Sequence, residues 1–270
     1  MKPIKEFYNL NAQREWKRTQ RDAYHLMEYR TTFLFLDKYL PKQKKILDAG
    51  GGPGRYTIAL AQRGHRVSLC DISEKEIKLA KQQIKKAKIS QNIDSVDIAS
   101  ITDLSLYPSN SFDGVLCLGG PLSHLLTERD RKKTVGELVR VAKPGAFIFI
   151  SVMNRMAMIA DTIRRWPQEI DSPKSWERLW KKGDDYNWCG ESFCHFFTGE
   201  ELKKITNLPG IKSMHLVGLE GPVLNSEREF NKLSANTKRA TGWWKMHQAL
   251  CTDEYFANMS PHMMIVLQKI

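Results

Sequence analysis

The chain has few cysteines, no long charge-free apolar run and no phosphate-loop signature, and each absence removes a class of protein. Five scattered cysteines, an odd number, do not make a disulfide framework. No stretch approaches the roughly twenty apolar residues of a membrane helix, so membrane insertion is not expected. Met1 to Asn11 carries charge but no apolar centre of signal-peptide type, which makes a cytoplasmic location the expectation. Negative charge is also in deficit: 42 Lys and Arg stand against 30 Asp and Glu, a formal net charge of +12. Clustered cations attract polyanions. Here they fall mostly on helical faces, such as Lys75, Lys78, Lys81, Lys85, Lys86 and Lys88, which serve equally as a solvated surface, so nucleic acid is a secondary expectation. With 41% hydrophobic residues in 270, the chain can bury the core of one large domain, with or without a smaller attachment.

What is present centres on Ile46-Leu47-Asp48-Ala49-Gly50-Gly51-Gly52-Pro53-Gly54, an apolar strand that turns sharply through four glycines into a helix. Residues without a side chain let the backbone approach a bound molecule, which describes a nucleotide-type pocket at the carboxyl end of a central strand. The spacing G-x-G-x-G is not the dinucleotide G-x-G-x-x-G, and no Gly-Lys-Ser/Thr ending is there to meet phosphates, so a pyrophosphate ligand is disfavoured.

Before this turn, residues 12–40 show helical spacing of Trp16, Ala23, Leu26, Met27, Phe33, Leu34 and Leu36, and form a candidate lid. Its Tyr24 and Arg30, with Tyr8 in the preceding segment, are candidate site residues. After the turn come a helix over 55–63 and a second strand over 65–70, ending in Asp71. A carboxylate there can accept hydrogen bonds from both hydroxyls of a ribose. Ser73 followed by Glu76 forms a capping-box pattern at the start of the next helix. Strands are expected over 93–98, 112–118 and 146–152, the fourth ending in Gly119-Gly120-Pro121 beside His124, a candidate acid-base group. Right-handed crossovers bring all these strand tips to one edge of a doubly wound α/β sheet.

Residues 155–198 change character. Aromatics are dense, Trp188 among them, Pro167 and Pro173 interrupt the helices, and Arg155 stands ready to pair with an anionic substrate, which together suggest an inserted helical and aromatic cap. Cys189, Cys194 and His195 are close in sequence but lack a fourth ligand, so no metal site is expected. A helix over 200–206, a strand over 211–220, a long helical segment around 226–256 with Trp243, Trp244, Met246 and Leu250 as its apolar face, and a last strand over 263–267 close the sheet. The organisation reads as an N-terminal lid (1–41), a core (42–154), a cap (155–198) and a C-terminal part of the fold (199–270).

Taken together, the glycine turn, Asp71, the Phe112-Asp113 strand opening, Gly119-Gly120-Pro121 and the Lys143-Pro144-Gly145 turn resemble the class I S-adenosylmethionine-dependent methyltransferases, and more narrowly their stand-alone bacterial and archaeal members. The resemblance implies a seven-stranded, mostly parallel sheet of order 3-2-1-4-5-7-6 with strand 7 antiparallel. It implies S-adenosyl-L-methionine as cofactor and S-adenosyl-L-homocysteine as product. By it, Asp48, Ala49, Gly50, Gly51, Gly52 and Gly54 form the methionine-side loop, Asp71 with Ile72 the ribose site, and Leu118 with Gly119 the facing edge, with Tyr8 as a further contact. Ile101, followed by Thr102, stands where many members carry an acid for the adenine amino group.

The expected reaction transfers a methyl group to an O, N or S nucleophile of a small molecule, mainly by proximity and alignment. Should a base be needed, His124 is the first candidate and Tyr8 and His195 the next. Tyr24, Arg30, His124, Arg155 and Trp188 are the candidate substrate contacts, in a monomer or homodimer. The alternatives are RNA or protein methylation and, disfavoured by glycine spacing, a NAD-dependent oxidoreductase.

Overall fold

The computed structural model describes residues 3–40, 43–188, 192–223 and 226–270, with the side chain of Trp188 outside that set. Two helices come first, α1 (Ile4–Arg18) and α2 (Ala23–Tyr39). The sequence pattern suggested one helical stretch from residue 12. The helix starts earlier and breaks because Asp22, in extended backbone, caps α2 by accepting from His25 N.

The central sheet contains β1 (Lys45–Ala49), β2 (Arg66–Asp71), β3 (Ile93–Ile98), β4 (Phe112–Cys117) and β5 (Ala142–Met153). Between them run α3 (Arg55–Gln62), α4 (Glu74–Lys86) and α5 (Glu128–Val141). The segment expected as a cap follows: α6 (Arg155–Arg165), a short α7 (Pro173–Ser175) continuing as a π-turn over Trp176–Lys181, and an antiparallel hairpin of β6 (Asp184–Trp188) and β7 (Ser192–His195). Then come α8 (Gly199–Thr206), β8 (Ile211–Gly218), α9 (Glu227–Ser234), α10 (Thr237–Leu250), α11 (Glu254–Asn258) and β9 (His262–Lys269).

The seven-stranded sheet has the order β3-β2-β1-β4-β5-β9-β8. The first five strands pair in parallel and β9 lies antiparallel between β5 and β8, so this is the order 3-2-1-4-5-7-6 with its last strand reversed. Successive residues enter opposite cores: Leu47, Cys117 and Ile150 pack on one face, and Ile46, Leu116 and Phe149 on the other. Covering both faces explains why β4 shows almost no alternation of polar and apolar residues.

Two expectations need correction. The long helical segment around 226–256 is three helices, because Asn236 and Asp253 start new ones as side-chain caps. In α10, Met246 and Leu250 are exposed and Trp243 and Trp244 half-buried, so they do not form a continuous apolar face; the fully buried residue is His247, whose Nε2 lies 2.8 Å from Thr31 Oγ1.

Chain order reverses between β1 and β4, which opens a crevice at their carboxyl ends. Helix α1 is fastened over it from two sides. Asn9 Oδ1 accepts from Ser73 Oγ at 2.8 Å and Lys75 N at 3.1 Å, while Arg55 lies over the Trp16 ring at 3.6 Å and donates to Gln20 Oε1 at 2.8 Å.

Candidate functional site

The glycine turn has no room for side chains. A Cβ on Gly50, at φ +73°, would meet Pro121 at 2.8 Å, and one on Gly51 would meet Leu69 at 2.4 Å and Asp48 at 2.5 Å. Gly54, also left-handed, starts α3 without entering the pocket wall. Asp48 stands behind the loop, fully buried, with Oδ2 accepting from Thr57 Oγ1 at 2.6 Å and Oδ1 unpartnered. Burial lifts its carboxyl to about 6. Asp48 and Ala49 buttress the turn and do not line the pocket.

Gly50, Gly51 and Gly52 line the pocket with Asp71, Ile72, Ile101, Leu118 and Gly119, and Tyr8 and His124 face it from other elements. Thr102 is absent from the lining, and its backbone N–H instead donates to Ser100 Oγ. Asp71 accepts from Gly52 N at 3.0 Å and Ser73 N at 2.8 Å, and burial lifts it to about 6.

His124 is tied to two other elements. Its Nδ1 lies 3.0 Å from the Phe193 carbonyl, which can only accept, so Nδ1 carries the hydrogen. Nε2 then accepts from the Tyr8 hydroxyl at 2.8 Å. Burial pushes His124 down to about 4, which makes it a neutral acceptor near pH 7.

Four expected site residues have other neighbours. Arg155 is buried in the cap, donating to the carbonyls of Phe196, Lys181 and Lys182 and to Glu201. Tyr24 packs with Met27, Val223 and Phe230. Arg30 lies 4.2 Å over Trp244, and His195 Nδ1 is 2.7 Å from Asp184 Oδ1. None of the four lines the pocket. The Trp188 side chain and Cys189 lie outside the described residues.

The pocket also holds charged residues that pattern reading passed over: Glu15, Arg18 and Glu76. Arg18 donates to Glu15 Oε1 at 2.7 Å and to both oxygens of Glu28. Behind Glu28, Glu220 Oε1 lies 2.5 Å from His262 Nδ1, and Glu220 Oε2 accepts from Ser260 Oγ and His262 N at 3.0 Å. Burial opposes the charge on Glu28, but Arg18 and then His262 outweigh it and hold the carboxyl below its usual value. Burial likewise opposes protonation of His262, and Glu220 with Glu28 outweighs it and raises the imidazole. Charges thus alternate from Arg18 to Glu220, holding the guanidinium at the pocket wall. The signal in sequence was Glu15 and Arg18 one helical turn apart, a spacing equally common on solvent-facing helices.

Glu76 departs from its capping pattern. Ser73 Oγ accepts from Glu76 N at 3.2 Å, but Ser73 N is taken by Asp71, so the Glu76 carboxyl does not complete the box. Instead it turns into the pocket.

Residues 46–145 match the family described as "Methyltransferase domain". A tRNA 5-carboxymethoxyuridine methyltransferase of Escherichia coli (strain K12) is 30% identical over 121 residues, 44% of each chain. A ubiquinone biosynthesis O-methyltransferase of Thiobacillus denitrificans is 33% identical over 114 residues, 42% of this chain and 46% of that protein. The chain thus spans about half the length of the curated relatives it matches. Among solved structures, a SAM-dependent methyltransferase of Methanosarcina mazei superimposes with TM-score 0.60 at 20% identity, covering 87% of this chain and 97% of that one, a likeness of fold. Residues 46–145 thus match a methyltransferase domain, and the sheet order around them is the one that the resemblance to class I S-adenosylmethionine-dependent methyltransferases implies.

Proposed function

We propose that this chain binds S-adenosylmethionine against its glycine turn and transfers the methyl group to an oxygen, nitrogen or sulfur nucleophile of a small molecule. The observation that carries the reading is the closure of the pocket by α1, which sets Tyr8, Glu15 and Arg18 across from the glycine turn and Asp71. A roofed pocket suits a metabolite-sized acceptor better than a bulky chain.

The residues fit the cofactor. Three successive glycines allow close approach, the Asp71 carboxylate suits a ribose, Ile72, Ile101 and Leu118 offer apolar walls for a base, and the Arg18 guanidinium matches the amino-acid carboxylate. S-adenosylmethionine supplies a sulfonium methyl that is already activated toward displacement. The protein's part is then alignment and exclusion of water. Where the nucleophile must lose a proton, the Tyr8 oxygen takes it while passing its own to His124 Nε2, the only ring nitrogen left to accept.

Calorimetric titration with S-adenosylhomocysteine and with NAD tests the cofactor, and S-adenosylhomocysteine alone is expected to bind. A methyl-transfer screen over small nucleophiles then tests the acceptor class.

One observation favours a second reading, an RNA acceptor. An open groove between α1, α3 and α4 carries Lys17, Arg21, Arg55 and Lys86, with Trp16 and Tyr29 beside them and no carboxylate among its described lining residues. RNA held there would lose affinity steeply with rising salt, whereas a metabolite enzyme keeps its activity.

A further inference from the structure

At the tip of β2 the pocket holds two carboxyl groups, and only one of them was expected from the chain's pattern. Asp71 already receives Gly52 N on one oxygen and Ser73 N on the other, so much of its capacity goes to holding the turn and the start of α4. Beside it lies Glu76, 2% exposed, whose Oε1 is buried with no hydrogen-bond partner. Its Oε2 is 2.6 Å from where a Cβ on Gly52 would stand, so this glycine is what admits the carboxyl to the pocket. A buried carboxyl oxygen without a partner is costly and is spared that cost when a ligand donates to it.

The neighbouring groups narrow the ligand chemistry. Burial, then Asp71 and Glu15, push Glu76 up to about 10, and Arg18 offsets this only in part. Adjacent carboxyl groups avoid a double charge by keeping a proton on one, so the pair offers a hydrogen-bond donor and acceptors side by side. Two adjacent hydroxyls, each able to donate and accept, match that arrangement.

We propose that Glu76 and Asp71 together hold the vicinal diol of the cofactor ribose, with the unpartnered Glu76 oxygen receiving one hydroxyl and Asp71 the other. This rests on the reading of the pocket as an S-adenosylmethionine site and adds a residue to it.

The test is calorimetric binding of S-adenosylhomocysteine and of its 2′,3′-dideoxy analogue to the wild type, Glu76→Met and Glu76→Gln. Thermal melts verify folding, and methionine is a good helix former. Loss of a hydrogen bond to a charged or strongly polar partner predicts that Glu76→Met weakens S-adenosylhomocysteine by about 10- to 100-fold. The same variant leaves the dideoxy analogue within about threefold, because the partner group is already gone. Glu76→Gln, which keeps a donor and an acceptor in place, recovers most of the affinity. The proposal is overturned if Glu76→Met binds S-adenosylhomocysteine like the wild type, if both ligands weaken equally, or if Glu76→Gln binds no better than Glu76→Met. Failure of the wild type to bind S-adenosylhomocysteine at all overturns the cofactor reading itself, and this proposal with it.

Discussion

The hydroxyl of Tyr8 donates to Nε2 of His124 at 2.8 Å, joining two residues of the pocket lining that are 116 positions apart. With Nδ1 committed to the Phe193 carbonyl, the imidazole has one tautomer and one acceptor.

If this pair takes the proton of the acceptor, Tyr8→Phe and His124→Ala each lower kcat by about 10²- to 10⁴-fold, and the double variant falls no further. Steady-state kinetics with a proton-bearing acceptor give the answer, and an unchanged kcat in His124→Ala removes the role. Because burial holds His124 at about 4, its titration should put no bend in the profile between roughly pH 6 and 8. In stability the sign is that of a depressed histidine. The contribution of about 3 kcal/mol is present above the unfolded value near 6.5 and is lost as pH falls toward 4.

Glu28 and His262 act on the pocket through Arg18. Glu28→Gln leaves the guanidinium with a neutral partner on one side and is expected to weaken S-adenosylhomocysteine by about tenfold. Removing a partner of a buried ion pair also costs about 3 to 5 kcal/mol, read by denaturant melts. His262 is raised when folded, so its stabilisation is present below the unfolded value and disappears as pH rises through the folded one. Glu28 is lowered, so its stabilisation is present above its unfolded value and is lost as pH falls through the folded one. Melts of His262→Gln should therefore show a flatter alkaline limb than the wild type.

Arg155 has a different signature. Its buried guanidinium joins α6, the cap and Glu201, so Arg155→Met should destabilise the fold by about 3 to 5 kcal/mol. The folded fraction should bind S-adenosylhomocysteine within about twofold of wild type. A selective rise in acceptor KM with unchanged stability would instead return Arg155 to the substrate site.

Gly51→Ala tests the turn. The added methyl would meet Leu69 at 2.4 Å and Asp48 at 2.5 Å, so the loop must shift. Overpacking of this kind costs about 1 to 3 kcal/mol, and calorimetry should show loss of S-adenosylhomocysteine binding greater than the loss in melting stability implies.

The strands were legible in the chain because their signals are local. The strand expected over 93–98 is Ile93–Ile98, and the one expected over 112–118 is Phe112–Cys117. The cap hairpin was not, since a short antiparallel pair among aromatics has neither a helical nor a strict two-residue period. The site divides in the same way. Gly50, Gly51, Gly52 and Asp71 could be named from strand-end chemistry, whereas Glu76 passed for half of a capping box and Arg18 was not singled out at all.

By itself the sequence determined the parallel core, its glycine turn and the acid that ends β2, because short-range sterics and apolar burial govern each of them. Tertiary structure decided the rest. Asp71, by claiming Ser73 N, released the Glu76 carboxyl into the pocket, and Glu28 turned Arg18 from a surface cation into a wall of the same pocket. Such partners are chosen by which unpaired buried group lies within reach, and reach is set only when distant segments pack together.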